Sequence, residues 1–296
     1  MRMYRAPFFA ILDTVGHEYA LRASPLFLCG PKHKCWRHSL PYGRGERQLK
    51  QFRDSKRVGL ARALSKLGYC SRTQAAELIR AGRVRLNGAT RRDPESPVRL
   101  QQDRIEVDRQ SVRAESRIYL ALNKPRGVVT TASDEKNRET VYSCLGDQLP
   151  WVGPVGRLDK ASEGLLLLTN DSEWASRISD PLAHVDKIYH VQVGSLTDEE
   201  LVAALTAGLR PATGELLRAK AARILRGGER NTWLEIVLDE GKNRQIRRMF
   251  DHFGIVVLRL VRVAVGPIHL GSLARGKFRR LTEEEKTAMN RAVGIS

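Results

Sequence analysis

Val155-Gly-Arg-Leu-Asp-Lys-Ala-Ser-Glu-Gly-Leu-Leu-Leu-Leu-Thr-Asn-Asp171 is the stretch on which the reading of this chain turns. One strand ends at Gly156, a polar loop follows with Arg157, Asp159, Lys160, Ser162 and Glu163, and a fully apolar strand resumes at Leu165. A loop slung between two buried strands is a rigid mount for a reactive side chain. Asp159 is the candidate, although a single Asp in a turn is by itself more often structural.

The flanks set the fold class. Arg117-Ile-Tyr-Leu-Ala-Leu-Asn-Lys-Pro125 reads as a buried strand entering a turn at Lys124-Pro-Arg-Gly127. Tyr189 to Val193 gives a period-2 strand and Thr232 to Leu238 another. Strands and helices mix without strict βαβ alternation, so the expected class is α+β with a mixed, mainly antiparallel sheet, not a doubly wound parallel one. Lys187 and Tyr189 are two apart on a strand and point the same way; taken alone, a half-buried strand Tyr is a core residue. Asn243 to Phe253 reads as a helix with Ile246, Met249, Phe250 and Phe253 toward the core and Arg244, Arg247 and Arg248 on another face. A solvated arginine face is the plain alternative there.

Ahead of this domain lies a smaller unit. Leu60, Leu64 and Leu67 fall on one helical face that Gly68 ends, and Ser71-Arg-Thr-Gln74 reads as a capping box opening a second helix with Ala75, Leu78 and Ile79 inward and Gly82 beyond its end. Arg83-Val-Arg-Leu-Asn-Gly88 then alternates basic and apolar residues into an Asn-Gly hairpin, with Arg83 and Arg85 outward, and Asp103 to Asp108 supplies a further strand. This helix-helix-hairpin unit resembles the S4 RNA-binding domain, the match running from Ala63 to Asn87. The resemblance implies that Arg72, Arg80, Arg83 and Arg85 contact RNA phosphates. A small solvated helical domain is the alternative.

Charge agrees with a polyanionic partner. The 296 residues carry 51 Lys plus Arg against 33 Asp plus Glu, a formal net charge of +18. At 42% hydrophobic the chain can bury a real core, which excludes disorder throughout. Apolar runs such as Leu165 to Leu168 and Ile255 to Leu258 fall far short of the roughly 20 residues that cross a bilayer, so no membrane span is expected. The run from Met1 to Leu12 is ended by Asp13 without a small-residue cleavage site, so no signal peptide is expected. Scattered cysteines, Cys29, Cys35, Cys70 and Cys144, fit a reducing compartment, with the cytoplasm as the expected location.

Residues 1–57 hold 12 basic and 4 acidic side chains with no helical or strand period, and are expected to be a mostly disordered basic extension. Cys29, His33, Cys35 and His38 within it match no common zinc spacing, so no metal site is predicted. The expected organisation is therefore an extension 1–57, an S4-like unit 58–112, a linker 113–116, a larger domain 117–285 and a C-terminal tail 286–296. For the extension, a basic tail assisting RNA binding and a start codon assigned too early are both open.

Gly156-Arg-Leu-Asp159 followed by Ser162-Glu-Gly-Leu-Leu-Leu-Leu-Thr-Asn170 resembles the signature of the RsuA/RluB-type ribosomal RNA pseudouridine synthases. The likeness runs from Val58 to about Thr282 through Leu122-Asn-Lys-Pro-Arg-Gly127, Lys187-Ile-Tyr-His-Val191 and Glu240-Gly-Lys-Asn-Arg-Gln-Ile-Arg-Arg-Met249, in the family's order. It implies that Asp159 is the catalytic nucleophile and that Arg247 is the cation paired with it. It further implies that Ile246 is the apolar contact beside the pair, that Tyr189 stacks on the target uracil, and that Arg157 sits near the flipped base. Lys187 and Arg244 join these as substrate-binding candidates. A buried carboxylate needs such a cation to remain ionised.

Isomerising uridine needs no redox step and consumes nothing, and no GxGxxG, P-loop or paired metal ligands occur, so no cofactor and no metal are expected. The implied partner is ribosomal RNA or a ribosome-assembly intermediate, 23S favoured over 16S, with the chain a monomer. A non-catalytic S4-type ribosome-assembly factor is the alternative from another class, and a tRNA-directed synthase a third reading.

Overall fold

The computed structural model describes residues 57–295 apart from Ser133, Glu135, Asn137, Asp147, Gln148, Ala212 and Thr213. The extension 1–57, with Cys29, His33, Cys35 and His38, lies outside the described residues except for Arg57.

The first unit runs β1 (Val58–Gly59), α1 (Leu60–Lys66), α2 (Arg72–Arg80), β2 (Val84–Leu86), β3 (Ala89–Arg91), β4 (Pro97–Val98), β5 (Ile105–Val107) and β6 (Gln110–Ser111). Ser71 caps α2 as its sequence predicts: its hydroxyl accepts from Gln74 N at 3.1 Å and the Gln74 side chain accepts from Ser71 N at 3.1 Å. Asn87 and Gly88 both take positive φ, 51° and 82°, which turns β2 into β3 in a two-residue hairpin. Four strands pair in the order β3-β2-β5-β6, and Leu60, Leu64, Ile79, Val84 and Ile105 close a core beneath them.

The larger unit runs β7 (Tyr119–Lys124), β8 (Gly153–Val155), β9 (Glu163–Thr169), α3 (Ser172–Ser179), β10 (Lys187–Val193), α4 (Glu199–Ala207), β11 (Ala221–Gly227), β12 (Thr232–Leu238), α5 (Gln245–His252), β13 (Val257–Val265), β14 (Ile268–His269), β15 (Phe278–Arg280) and α6 (Glu283–Ala292). Its sheet follows the order β11-β12-β10-β13-β9-β7-β15, with β8 on β9 and β14 on β13. Every pairing is antiparallel except β9 with β13, which run parallel, so the class is α+β with a mixed, mainly antiparallel sheet.

β9 explains why its sequence has no polar face. Leu166 and Leu168 pack with Leu120 and Leu122 on one side, and Leu165 and Leu167 with Trp174 and Ile178 on the other. Each buried leucine contributes about 1.5–3 kcal/mol, which fixes the strand that carries the Asp159 loop. That strand begins at Glu163, two residues earlier than its apolar run suggests, because Glu163 is buried against Arg259 Nε at 2.9 Å. Residues 286–296, set apart by sequence as a tail, include most of α6, whose Met289 is fully buried and whose Asn290 accepts from the Trp174 indole at 2.9 Å.

The two units are stitched together. Glu115 N donates to Leu67 O at 3.1 Å, Lys66 pairs with Glu173 at 3.3 Å, and Asn170 bonds both Ile118 N and Ser116 O at 2.9 Å. Among the described residues no helix is long and apolar enough to cross a membrane.

Candidate active site

The sheet's two halves meet at the parallel junction of β9 and β13, and the glycine of Ser162-Glu-Gly164 makes that meeting possible. A Cβ on Gly164, whose φ is 103°, would stand 2.3 Å from Arg262 O, so only glycine lets the strands approach. The loop bearing Asp159 enters at this seam.

That loop is held by its backbone. Leu158 O accepts from Thr130 Oγ1 at 2.8 Å, Asp159 O from Lys124 Nζ at 3.2 Å, Lys160 O from Gly127 N at 2.8 Å, Ala161 O from Arg247 Nη2 at 3.1 Å, and Ser162 O from Lys124 Nζ at 2.9 Å. Every carbonyl from 158 to 162 is thus taken. Lys124 is fully buried and gives its third bond to Pro125 O at 3.1 Å, so three ammonium donors meet three acceptors. Burial lowers the Lys124 pKa to about 8, opposed by the nearby Asp159 charge.

A cavity of about 600 Å³ opens in front of the loop, and Arg157, Asp159, Lys187, Tyr189, Arg244 and Ile246 all line it. Lys187 and Tyr189 do share one face of β10. The Asp159 carboxylate is 40% exposed, not buried, and its near cation is Arg244, with Nη1 3.9 Å from Oδ2. Arg247, the partner that the resemblance implies, makes no ion pair with Asp159 in this structure, although its charge still interacts with that carboxylate. Arg244 has left-handed backbone, φ 48°, and stands as the N-cap of α5, so the helix begins at Gln245 and not at Asn243. The turn swings Arg244 off the helix toward Asp159, while Arg247 is drawn back onto Ala161 O and Val257 O, the latter at 3.2 Å. Arg247 Nε is buried without a partner, and burial followed by the neighbouring Arg244 lowers the Arg247 pKa, with Asp159 acting against them. Ile246, Met249 and Phe250 are buried as expected, but Phe253 ends the helix 39% exposed.

In the first unit, Arg72, Arg80, Arg83 and Arg85 are all exposed. Arg83 forks onto Asp108, its Nε 2.9 Å from Oδ1.

A profile described as RNA pseudouridylate synthase matches residues 118–252, and one for the S4 domain matches 58–113. The chain is 37% identical over 239 residues to an uncharacterised RNA pseudouridine synthase of Aquifex aeolicus, covering 80% of this chain and 96% of that one. It belongs to the RNA pseudouridine synthase family. This S4-bearing synthase, an isomerase of the RsuA/RluB type, is also 36% identical to ribosomal large subunit pseudouridine synthase B of Bacillus subtilis, over 76% of its own length and 93% of the relative's. A crystal structure of a pseudouridylate synthase superposes with a TM-score of 0.56 at 28% identity, across 78% of this chain and 99% of the other.

Two groups in the synthase's site escape sequence reasoning. Lys124 sits in a turn-like Asn-Lys-Pro-Arg-Gly segment, where a lysine reads as solvated. Arg262, 6% exposed, lines the cavity from β13 and donates from Nε to Leu165 O at 2.7 Å. Its charge adds to desolvation, the larger cause, in lowering the Lys187 pKa. The available signal was an arginine inside the apolar run Leu260-Val-Arg-Val-Ala-Val265, but it does not by itself distinguish a cavity-facing arginine from a solvated one.

Proposed function

We propose that this synthase isomerises one uridine to pseudouridine in a structured region of bacterial ribosomal RNA, large-subunit RNA being favoured, with Asp159 as the catalytic nucleophile. The observation that carries this reading is the Asp159 carboxylate facing a cavity of about 600 Å³ from a loop with every carbonyl occupied. The name of the Bacillus subtilis relative supports the large-subunit choice.

The reaction breaks the N1–C1′ bond, turns the uracil, joins C5 to C1′, and moves a proton from C5 while N1 gains one. One carboxylate serves as both nucleophile and proton acceptor. Arg244 supplies the opposing positive charge. Tyr189 stacks on the uracil and its phenol assists at C5, and Ile246 gives the ring an apolar wall, a reading supported by both residues lining the cavity. A uridine inside folded RNA reaches the cavity only by leaving its stack, at roughly a few kcal/mol. Arg157, exposed at the cavity's lip, fills the gap it leaves. The arginines of the first unit hold phosphates and set position without reading sequence.

Carbodiimide mapping of pseudouridine in both ribosomal RNAs tests the proposal, using cells lacking the gene and restored with wild type or Asp159→Ala. One position lost, and recovered by wild type alone, is the expected result. A position restored by Asp159→Ala removes Asp159 from the chemistry. No lost position overturns the ribosomal RNA assignment and favours a chain that binds RNA without modifying it there.

A further inference from the structure

A second cleft lies at the junction of the two units, outside the catalytic cavity. It has a volume of about 520 Å³ and is lined on the S4 side by Tyr69, Cys70, Glu77, Leu78 and Arg83 and on the catalytic side by Trp151. Just before Tyr69 in the chain, Leu67 O accepts from Glu115 N at 3.1 Å and a Cβ on Gly68 would meet Glu115 at 3.1 Å, so the two units approach closely beside the cleft. Tyr69 is 44% exposed and presents its ring to the cleft beside Arg83, with whose charge it interacts.

We infer that this cleft takes an unpaired nucleobase of the RNA substrate, stacked against Tyr69 and Trp151. The inference rests on the proposed RNA substrate and adds a second contact to it. Chemistry separates the candidates. A phosphate is disfavoured, because Glu77 lines the cleft and the cation there, Arg83, is already forked onto Asp108. Cys70 contributes an apolar wall, since burial pushes its thiol up to about 11. With two aromatic rings, Leu78 and Ala81 as apolar surface, and the Gln74 amide, the Glu77 carboxylate and the Asp108-engaged Arg83 as polar groups, the lining suits a flat, neutral ring with hydrogen-bonding groups on its edge, as in a base carrying an exocyclic amine. Arg72, Arg80 and Arg85 stand exposed on the same unit, so the backbone remains outside on the cations while the base enters. The S4 unit thereby holds an extruded base at a fixed separation from the uridine cavity, which selects RNA by the spacing of two unstacked nucleotides.

The test irradiates the full-length chain with short-wave ultraviolet light on protein-free bacterial ribosomal RNA, followed by nuclease and trypsin digestion and mass spectrometry. A nucleotide adduct is expected on the tryptic peptide Leu67–Arg72, which carries Tyr69 and Cys70, or on the peptide containing Trp151. In parallel, Tyr69→Ala should weaken RNA affinity about tenfold, within the range measured for one stacked base, and Tyr69→Phe should restore it. Pseudouridine formation by the wild type is read separately. If the wild type makes none yet crosslinks through Leu67–Arg72, the substrate reading fails and the cleft assignment stands. If the wild type is active, no adduct falls on either peptide, and Tyr69→Ala binds within twofold of wild type, the cleft assignment is overturned and the surface belongs to a protein partner.

Discussion

Lys124 Nζ stands 3.2 Å from the carbonyl oxygen of Asp159, on the backbone side of the residue whose carboxylate faces the cavity. The same ammonium holds Ser162 O and Pro125 O, so one buried cation ties the end of β7 to both ends of the reactive turn. Reactive side chains need placement to fractions of an ångström. Here that placement comes from peptide dipoles gripped by a lysine, leaving the carboxylate free to meet substrate.

Lys124→Met keeps the length and volume of the side chain and removes its donors. Buried carbonyls left unsatisfied cost about 1–3 kcal/mol, so the variant should unfold at lower temperature or denaturant concentration. A shift of about 1 Å in the turn should lower kcat on the order of 10²-fold. Thermal unfolding and single-turnover assays of pseudouridine formation check both. Unchanged kcat would show that the turn keeps its shape without the lysine.

The Lys124 titration gives stability and activity opposite signs. Its pKa falls from 10.5 to about 8 on folding. Between those values the unfolded chain binds a proton that the folded chain has released, so this group's contribution makes stability rise with pH through that window. The neutral amine keeps two donors for three carbonyls, so kcat should fall as pH passes about 8. Lys124→Met should lack this alkaline limb. A limb that persists in the variant assigns it to another group.

Local rules made much of this molecule legible. Ser71 and Gln74 form their box, Asn87-Gly88 makes its hairpin, Thr232–Leu238 is a strand end to end, and Lys187 and Tyr189 share a face of β10. Each of these depends on neighbours within a few residues. Arg244 and Arg247 could not be assigned that way, because their roles are set by one left-handed residue at a helix start and by a carbonyl, Ala161 O, 86 residues away in sequence. Lys124 and Arg262 were missed for the same reason: both are charges buried by strands that only tertiary packing brings together.

The two arginines should separate by phenotype. Arg247→Ala strips donors from Ala161 O and Val257 O inside the fold and should destabilise by about 1–3 kcal/mol while lowering kcat. Arg244→Ala removes a half-exposed ion pair and should change stability by less than about 1 kcal/mol, with its loss confined to activity. Chemical denaturation beside kinetics distinguishes them. Equal destabilisation by both substitutions would contradict the assignment of Arg247 to the loop backbone.

Salt dependence separates phosphate contacts from chemistry. Arg72, Arg80 and Arg85 present exposed guanidinium groups, whereas Arg83 is engaged by Asp108. Each arginine that neutralises a phosphate releases counterions, so its removal should flatten the slope of log affinity against log salt by about 0.7–0.9. Alanine at Arg72, Arg80 or Arg85 should produce that change, and alanine at Arg83 a smaller one, because part of its charge is already answered within the protein. Asp159→Ala, measured by the same filter-binding titration on ribosomal RNA, should leave the slope untouched while abolishing product. If Arg83→Ala flattens the slope as fully as its neighbours do, the Asp108 fork opens when RNA binds, and Arg83 exchanges an internal carboxylate for a phosphate.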